Sequence, residues 1–402
     1  MRRQPWDDGL AARAGAAKVA ILSSAFYGSI SGVAAANTAS TGMITIPTMK
    51  RLGYPPQLAA ATEAVASTGW HILPPVMGAG IFVMAELVRV PYTEIMIAAL
   101  LPAILFFLAA WFGVHIYALR TNLAALPKDA LPGWAAVARS VPFFLLPFSI
   151  LIGTLVFTSY TLAYAAVFAT IVTWTTLIFD PDGKLSLQGW YHRTLVAVVT
   201  AAQQVAIIAA VIVCAGIVVG VFNMTGLGVK LTSMILSASD GRLWIALLLT
   251  ALAALVLGME LPTTAAYVIC AAVAAPALVG MGLPDLQAHL FVFWYALLCT
   301  ITPPVCGNVF IAAAIAKTPW LPVAGNAMRL GIGLFIIPLG FVANPEILDL
   351  ATTPVAALIA MAQIALGLWL VSFAVIGAAR QPLFELLRLP ALPAGLAVIF
   401  LL

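Results

Sequence analysis

The chain has 402 residues, of which 63% are hydrophobic and 8% charged, with a formal net charge of +4; its mean hydropathy is +1.11. Soluble domains carry about 25% charged residues, so this composition excludes a water-soluble enzyme and a nucleic-acid-binding domain. Most of the chain belongs in a lipid bilayer, as one membrane domain over residues 1–402.

The N-terminal stretch MRRQPWDDGLAARAGAAK carries charges of both signs and lacks a cleavable signal pattern. Residues 18–31 and 38–49 are two apolar half-helices meeting at a small, polar turn. Each is short for a span of about 20 residues, so together they predict a re-entrant hairpin that returns to its starting side at Lys50-Arg51. Residues 57–89 are too long for one straight helix and are interrupted at 69–75, predicting one crossing built of two half-helices. Residues 93–117 cross back, and a polar loop with Arg120, Lys128, Asp129 and Arg139 follows. The runs 141–158 and 161–179 form a tight pair, and 195–222 is the next crossing. A polar linker leads to a second hairpin, 243–257 and 263–279, with its tip at 258–262. Residues 286–316 are a second broken helix, interrupted at 300–304. Residues 323–342 and 355–376 complete the set, and the apolar run after Pro390 is too short to span.

The hairpin and broken helix at 28–80 occur twice. A shift of 229 residues lays Pro47 on Pro276, Gly53 on Gly282, Pro55 on Pro284, Pro74-Pro75-Val76 on Pro303-Pro304-Val305 and Gly78 on Gly307. The shared residues are those that dictate backbone shape, and breaks in corresponding apolar segments point to a transporter site at a repeat interface. Five single crossings separate the hairpins; five is odd, so the second hairpin enters from the opposite face and the repeat is inverted. The same count puts Arg2, Arg3, Arg13, Lys18, Lys50, Arg51, Arg120, Lys128, Arg139, Lys184, Arg193, Lys317, Arg380 and Arg388 on one side. The other side receives Arg89, Lys230 and Arg242. That bias makes the first side cytoplasmic, the N-terminus included. The expected division is 17–92 for the first repeat, 93–193 for scaffold helices and loops, 194–320 for the second repeat and 321–402 for the C-terminal helices. The helix preceding the second hairpin has no counterpart before the first, so the chain reads as lacking N-terminal helices.

Sodium is a hard cation that takes oxygen ligands from hydroxyls, amides and unwound carbonyls. The first break offers Ser29, Ser31, Asn37 and Thr38 at the hairpin tip, with Ser67, Thr68 and Gly69 where the long helix unwinds. The second offers Gly258, Thr263 and Thr264 at the tip, with Thr300 and Thr302 before its proline pair. Each candidate cation site thus joins one hairpin tip to one helix break. Helix N-termini near Thr38 and Thr263 suit a carboxylate, which makes Gly32, Thr38, Pro262 and Thr263 candidate substrate contacts. Glu63, one turn before Ser67, either tunes the first cation site or packs against Lys50 or Arg51, and Thr45 reads as ordinary packing between helices. Coupling to protons stays open because Glu63 and Glu260 are protonatable. A channel, or an intramembrane enzyme using His71, Glu63 or Glu86, is the rival from another class; no paired catalytic motif supports the enzyme. The four cysteines, Cys214, Cys270, Cys299 and Cys306, give neither a disulfide framework nor a metal spacing, and no cofactor is expected.

The stretches GSISGVAAANTASTGMITIPTMKRLGYPP and ASTGWHILPPVMGAGIFVMAE resemble the large membrane subunit of tripartite ATP-independent periplasmic (TRAP) transporters. LPTTAAYVICAAVAAPALVGMGLPDLQAHLFVFWYALLCTITPPV and FVANPEIL are similar to the fused subtype served by TAXI-type binding proteins. The resemblance implies an all-α polytopic protein of the bacterial inner membrane. It further implies an elevator-type secondary transporter, driven by sodium and fed by a periplasmic receptor. It also implies partners: further N-terminal helices or a small membrane subunit. Glu260 departs from the family pattern, which has glycine there.

The topology is open to test by cysteine labelling. A cysteine at Lys50 or Arg120 is expected to react only after permeabilisation, and one at Lys230 or Asp285 from the periplasm. Labelling of positions 50 and 285 from the same side overturns the inversion.

Overall fold

The computed structural model describes residues 14–31, 34–121, 134–158, 160–180, 184–259, 261–377 and 382–401. Among them the chain is helical, with one isolated bridge between Phe179 and Leu185 and no longer strand. Among these residues five helical runs are long and apolar enough to cross a membrane, one of them the run Trp320–Ala343 on both sides of Gly331. The chain divides into two compact units, one of residues 91–93 and 127–213 and the other of the remainder.

In the larger unit the first hairpin is α1 (Gly15–Ser31) and α2 (Ala34–Arg51). The first broken helix is α3 (Pro56–Ala66), a 3-10 turn (Gly69–Ile72) and α4 (Ala79–Val88), and α5 (Tyr92–Thr121) follows. The smaller unit holds α6 (Trp134–Phe157), α7 (Leu162–Thr176) and the start of α8 (Leu187–Thr225). There α6 packs along α7, and Arg193 of α8 pairs with Asp180 and donates to Leu177 O at 2.9 Å. After α9 (Leu227–Ser239) comes the second hairpin, α10 (Leu243–Leu257) and α11 (Thr263–Gly280). The second broken helix is α12 (Asp285–Leu298) and α13 (Gly307–Ala316). The chain closes with α14 (Trp320–Leu330), α15 (Ile332–Ala343), α16 (Pro354–Ile376) and α17 (Pro382–Phe400).

The glycine and proline punctuation does the same local work in both copies. Gly53 and Gly282 take positive φ values of 86° and 96°, which a Cβ disfavours. Each ends its hairpin with the same pair of bonds: Tyr54 N to Met49 O and Gly53 N to Lys50 O, matched by Leu283 N to Leu278 O and Gly282 N to Val279 O, all within 2.9–3.1 Å. This is the Schellman arrangement, which satisfies carbonyls left open at a helix end. Pro55 (φ −53°) and Pro284 (φ −57°) then start the next helix without delay. Both proline pairs, Pro74-Pro75 and Pro303-Pro304, have cis peptides.

The two copies also pack reciprocally. Within each, the two hairpin helices lie against each other and against the first half of their own broken helix. Across them, α13 packs on α2 and α3, while α4 packs on α11 and α12. In the 229-residue register these are equivalent contacts, so each half-helix beyond a break crosses to the other copy.

Two expectations change. The polar linker before the second hairpin is the helix α9, whose Thr232 donates to Val273 O at 3.0 Å. Its 13 residues reach about 20 Å, too short to span. The run 323–342 is not one helix but α14 and α15, parted at Gly331, where an added Cβ would lie 3.0 Å from Ala327 O. The apolar run after Pro390 stays short of a span, as expected, and forms the second half of the 19-residue α17, which packs along α16. That approach depends on glycine: a Cβ on Gly367 would lie 2.7 Å from Gly395 O, and one on Gly395 2.8 Å from Gly367 O. Gly367→Leu is therefore expected to lower stability by about 1–3 kcal/mol through overpacking, read as a lower midpoint in thermal unfolding in detergent. An unchanged midpoint would show that α17 is free to shift.

Candidate functional site

Each hairpin tip rests on the break of its own copy. A Cβ on Gly28 would overlap the Trp70 side chain. In the second copy Cys299, the register equivalent of Trp70, donates its thiol to Gly258 O at 3.0 Å, and a Cβ on Gly258 would lie 3.0 Å from that sulfur. A break in an apolar helix strands carbonyls that the bilayer cannot satisfy, and here the breaks serve themselves. Gly78 N returns to His71 O at 2.8 Å, and Asn308 N returns to Thr300 O at 3.1 Å. The hydroxyls of Thr68, Thr300 and Thr302 donate to Ala64 O, Leu297 O and Leu298 O at 3.0, 2.8 and 2.6 Å.

The two breaks then meet. Thr68 Oγ1 lies 3.1 Å from Thr300 Oγ1, and Asn308 Nδ2 donates to Thr68 Oγ1 at 3.1 Å. Thr68 and Asn308 are buried, so this is a polar junction between the unwound regions of both copies, inside an apolar protein. His71 is buried beside it, with Nδ1 3.2 Å from Thr68 O and its ring 3.9 Å from that of Trp70. Gly69 lets the first break close on α5, since a Cβ there would overlap the Phe106 ring.

A second cluster lies between the first hairpin and α3. Glu63 is fully buried. Its Oε1 accepts from Ser24 Oγ at 2.7 Å, from Ser67 Oγ at 3.1 Å and from Thr41, while its Oε2 accepts from Thr45. Asn37 belongs to the same cluster: its Nδ2 donates to Ser24 O at 3.0 Å, and its backbone carbonyl lies 2.7 Å from Thr41 Oγ1. Lys50 does not pair with Glu63; its Nζ donates to Ala316 O at 2.8 Å, because hydroxyls already surround the carboxyl. Thr45, read from the sequence as plain packing, is one of them.

The predicted site residues therefore separate into groups. Asn37 and Ser67 join Glu63, whereas Thr68 and Thr300 join across the breaks. Thr38 is buried at the first tip, and its hydroxyl has no hydrogen-bond partner among the described residues. Gly258 caps α10, Pro262 caps α11, and Thr263 and Thr264 open α11 half-buried. Thr264 lies against α4, its Cα 3.6 Å from where a Cβ on Gly80 would stand. Ser29 and Ser31 fall in the last turn of α1; their side chains, Gly32 and Glu260 lie outside the described residues. Among the described residues no His, Cys, Asp and Glu cluster forms a site for a transition metal. Sequence reasoning missed Asn308, Ser24 and Thr41. An amide directly after Gly307, in an apolar run, was the available signal for Asn308; Ser24 and Thr41 carry none.

Residues 11–356 match the profile of the tripartite ATP-independent periplasmic transporter family, DctM component. The chain belongs to this family. It is 26% identical to the protein y4mL of Sinorhizobium fredii over 342 residues, which are 81% of this chain and 78% of that protein. Similarity to the C4-dicarboxylate TRAP transporter large permease protein DctM of Pseudomonas aeruginosa is 24% over 330 residues, 82% of this chain and 74% of that one. A protein of Haemophilus influenzae named as a TRAP transporter large permease is 27% identical over 339 residues, 84% and 77% of the two chains. This TRAP large permease is thus a multi-pass bacterial membrane protein and a transport component, not an enzyme. The family membership agrees with the resemblance to the large membrane subunit of TRAP transporters.

The junction of the breaks yields a prediction. Asn308→Leu keeps the side chain's approximate size but removes the donor to Thr68, and is expected to cost about 1–3 kcal/mol. Thermal unfolding of the purified permease measures it; an unchanged midpoint would mean that the breaks do not depend on this bond.

Proposed function

We propose that this TRAP permease drives sodium-coupled secondary uptake of a small organic anion, a carboxylate, delivered by a periplasmic binding protein of the TAXI type and moved by an elevator mechanism. The observation that carries the reading is the meeting of both helix breaks at Thr68, Thr300 and Asn308. Around it, the hydroxyl of Thr38 is buried and unpartnered among the described residues, a poor state for a polar group unless a ligand completes it. Oxygen-rich unwound segments suit a hard cation. The N-terminus of the 18-residue α11 offers the positive end of a helix dipole to a carboxylate. The name of the Pseudomonas aeruginosa relative, a C4-dicarboxylate transporter, supports that substrate class.

The repeats are inverted in this reading. The crossings between the hairpins remain the broken helix, α5, α6, α7 and α8, because α9 is too short to add one. An odd number places the N-terminus and the first hairpin at the cytoplasmic face of the inner membrane and the second hairpin at the periplasmic face. Residues 17–92 and 194–320 form the moving part, and a small membrane subunit, or helices equivalent to one, completes the scaffold. A second reading, coupling to protons, draws support from Glu63, a buried carboxyl with no ion-pair partner among the described residues.

The test is uptake into proteoliposomes holding the permease with its small subunit and receptor. Thr38→Val and Thr302→Val each remove one oxygen with little change of shape. Each is expected to raise the half-saturating sodium concentration by about tenfold to a hundredfold, the worth of one bond to a charged group. Sodium curves that match the wild type in both variants would remove the cation assignment. Uptake that ignores sodium and follows a proton gradient would favour the second reading.

A further inference from the structure

The cluster on Glu63 has no counterpart in the second copy. In the 229-residue register, Ser24, Thr41, Thr45, Glu63 and Ser67 fall on Ala253, Cys270, Ala274, Val292 and Ala296. Three hydroxyls on α1 and α2, and a fourth at the C-cap of α3, converge on one buried carboxyl in the first copy. At the same place in the second there is apolar packing and a thiol, Cys270, 3.6 Å from Ala254 O. The second hairpin does have polar ties to its broken helix: Tyr267 Oη to His289 Nδ1 at 2.8 Å holds α11 to α12, and the Cys299 thiol, a weak donor, touches α10 only at its cap, Gly258 O, at 3.0 Å. Buried polar networks are strong when complete, because no water competes for their donors.

We propose that Glu63 is a positioning residue that binds α1, α2 and α3 into one rigid block, fixing the first tip relative to the first break, and that the second hairpin is the freer of the two. The wiring supports a role in linking helices rather than in forming them. Thr41 and Thr45 both have a carbonyl one turn back within reach, Asn37 O at 2.7 Å and Thr41 O at 3.0 Å. Without the carboxyl these hydroxyls fall back on their own helix, so α2 stays intact and only its tie to α3 is lost. The block holds both Asn37 and Ser67, so it sets the distance between the tip and the break across which the proposed cation would bind. That last step rests on the sodium-coupled reading; the rigid block does not.

Hydrogen–deuterium exchange of the intact permease in nanodiscs, without sodium or substrate, tests the block by itself. The amides of α1 and α2 are expected to exchange more slowly than those of α10 and α11. Glu63→Leu is expected to speed exchange in α1 and α2 by about tenfold or more, with the rest of the chain unchanged. Glu63→Gln keeps an acceptor oxygen and gives an NH2 to Thr45, and is expected to restore protection. Should Glu63→Leu fail to insert, Ser24→Ala with Thr45→Val cuts two of the four ties and carries the same expectation. Equal exchange in the two hairpins, a rise spread over the whole chain, or no rescue by glutamine would overturn the proposal. In the uptake assay, Glu63→Leu is expected to raise the sodium half-saturation with little effect on the maximal rate. An unshifted sodium curve beside altered exchange would overturn the positioning role. A wild type indifferent to sodium would instead count against the sodium reading, with the exchange result still deciding the block.

Discussion

Every backbone N–H and C=O in the apolar interior must find a partner within the protein. The whole arrangement follows from that constraint, because the chain breaks its helices where no water can repair them. Prolines within helices free carbonyls one turn back, and side chains on neighbouring helices fill them. Pro338 of α15 cannot donate to Leu334 O, and Trp294 Nε1 of α12 donates to it at 2.9 Å. Tyr295 and Gln287 of the same helix reach Phe335 O and Phe341 O at 2.6 and 2.8 Å. At the end of α16, Arg388 reaches Ala374 O at 3.0 Å, and Arg120 from the end of α5 reaches Ile376 O. Side-chain to backbone bonds, more than salt bridges, hold the larger unit together; among the described residues the one ion pair, Arg193 with Asp180, lies in the smaller unit.

The same constraint explains why the breaks come together. A broken helix presents polar groups inside an apolar protein, and two of them satisfy each other at lower cost than either does alone. The half-helices α4 and α13 each cross to the opposite copy, which places Thr68 against Thr300 and Asn308.

Symmetry of backbone is not symmetry of chemistry here. The glycines and prolines that shape the turns are shared, whereas the cluster on Glu63 belongs to one copy. Backbone shape tolerates few alternatives at positive φ or at a helix start. The side chains between those points are free to diverge, so two copies of one scaffold can hold their hairpins with different firmness.

The sequence by itself determined the apolar spans, the two hairpins, the two broken helices and their register, and it located Thr68, Thr300 and Asn37 at the breaks and tips. These features are local: glycine and proline limit φ at their own positions, and the length of an apolar run limits what it can cross. The helix α9, the parting of α14 from α15 and the docking of α17 on α16 were decided by tertiary packing, as was the partner of Glu63. Ser24 and Glu63 are 39 residues apart, and Thr68 and Thr300 are 232 apart. No periodicity or spacing encodes a hydrogen bond across such distances. It exists because the helices between pack in one way, and that packing gathers four hydroxyls around a carboxyl whose nearest basic residues in sequence, Lys50 and Arg51, lie elsewhere.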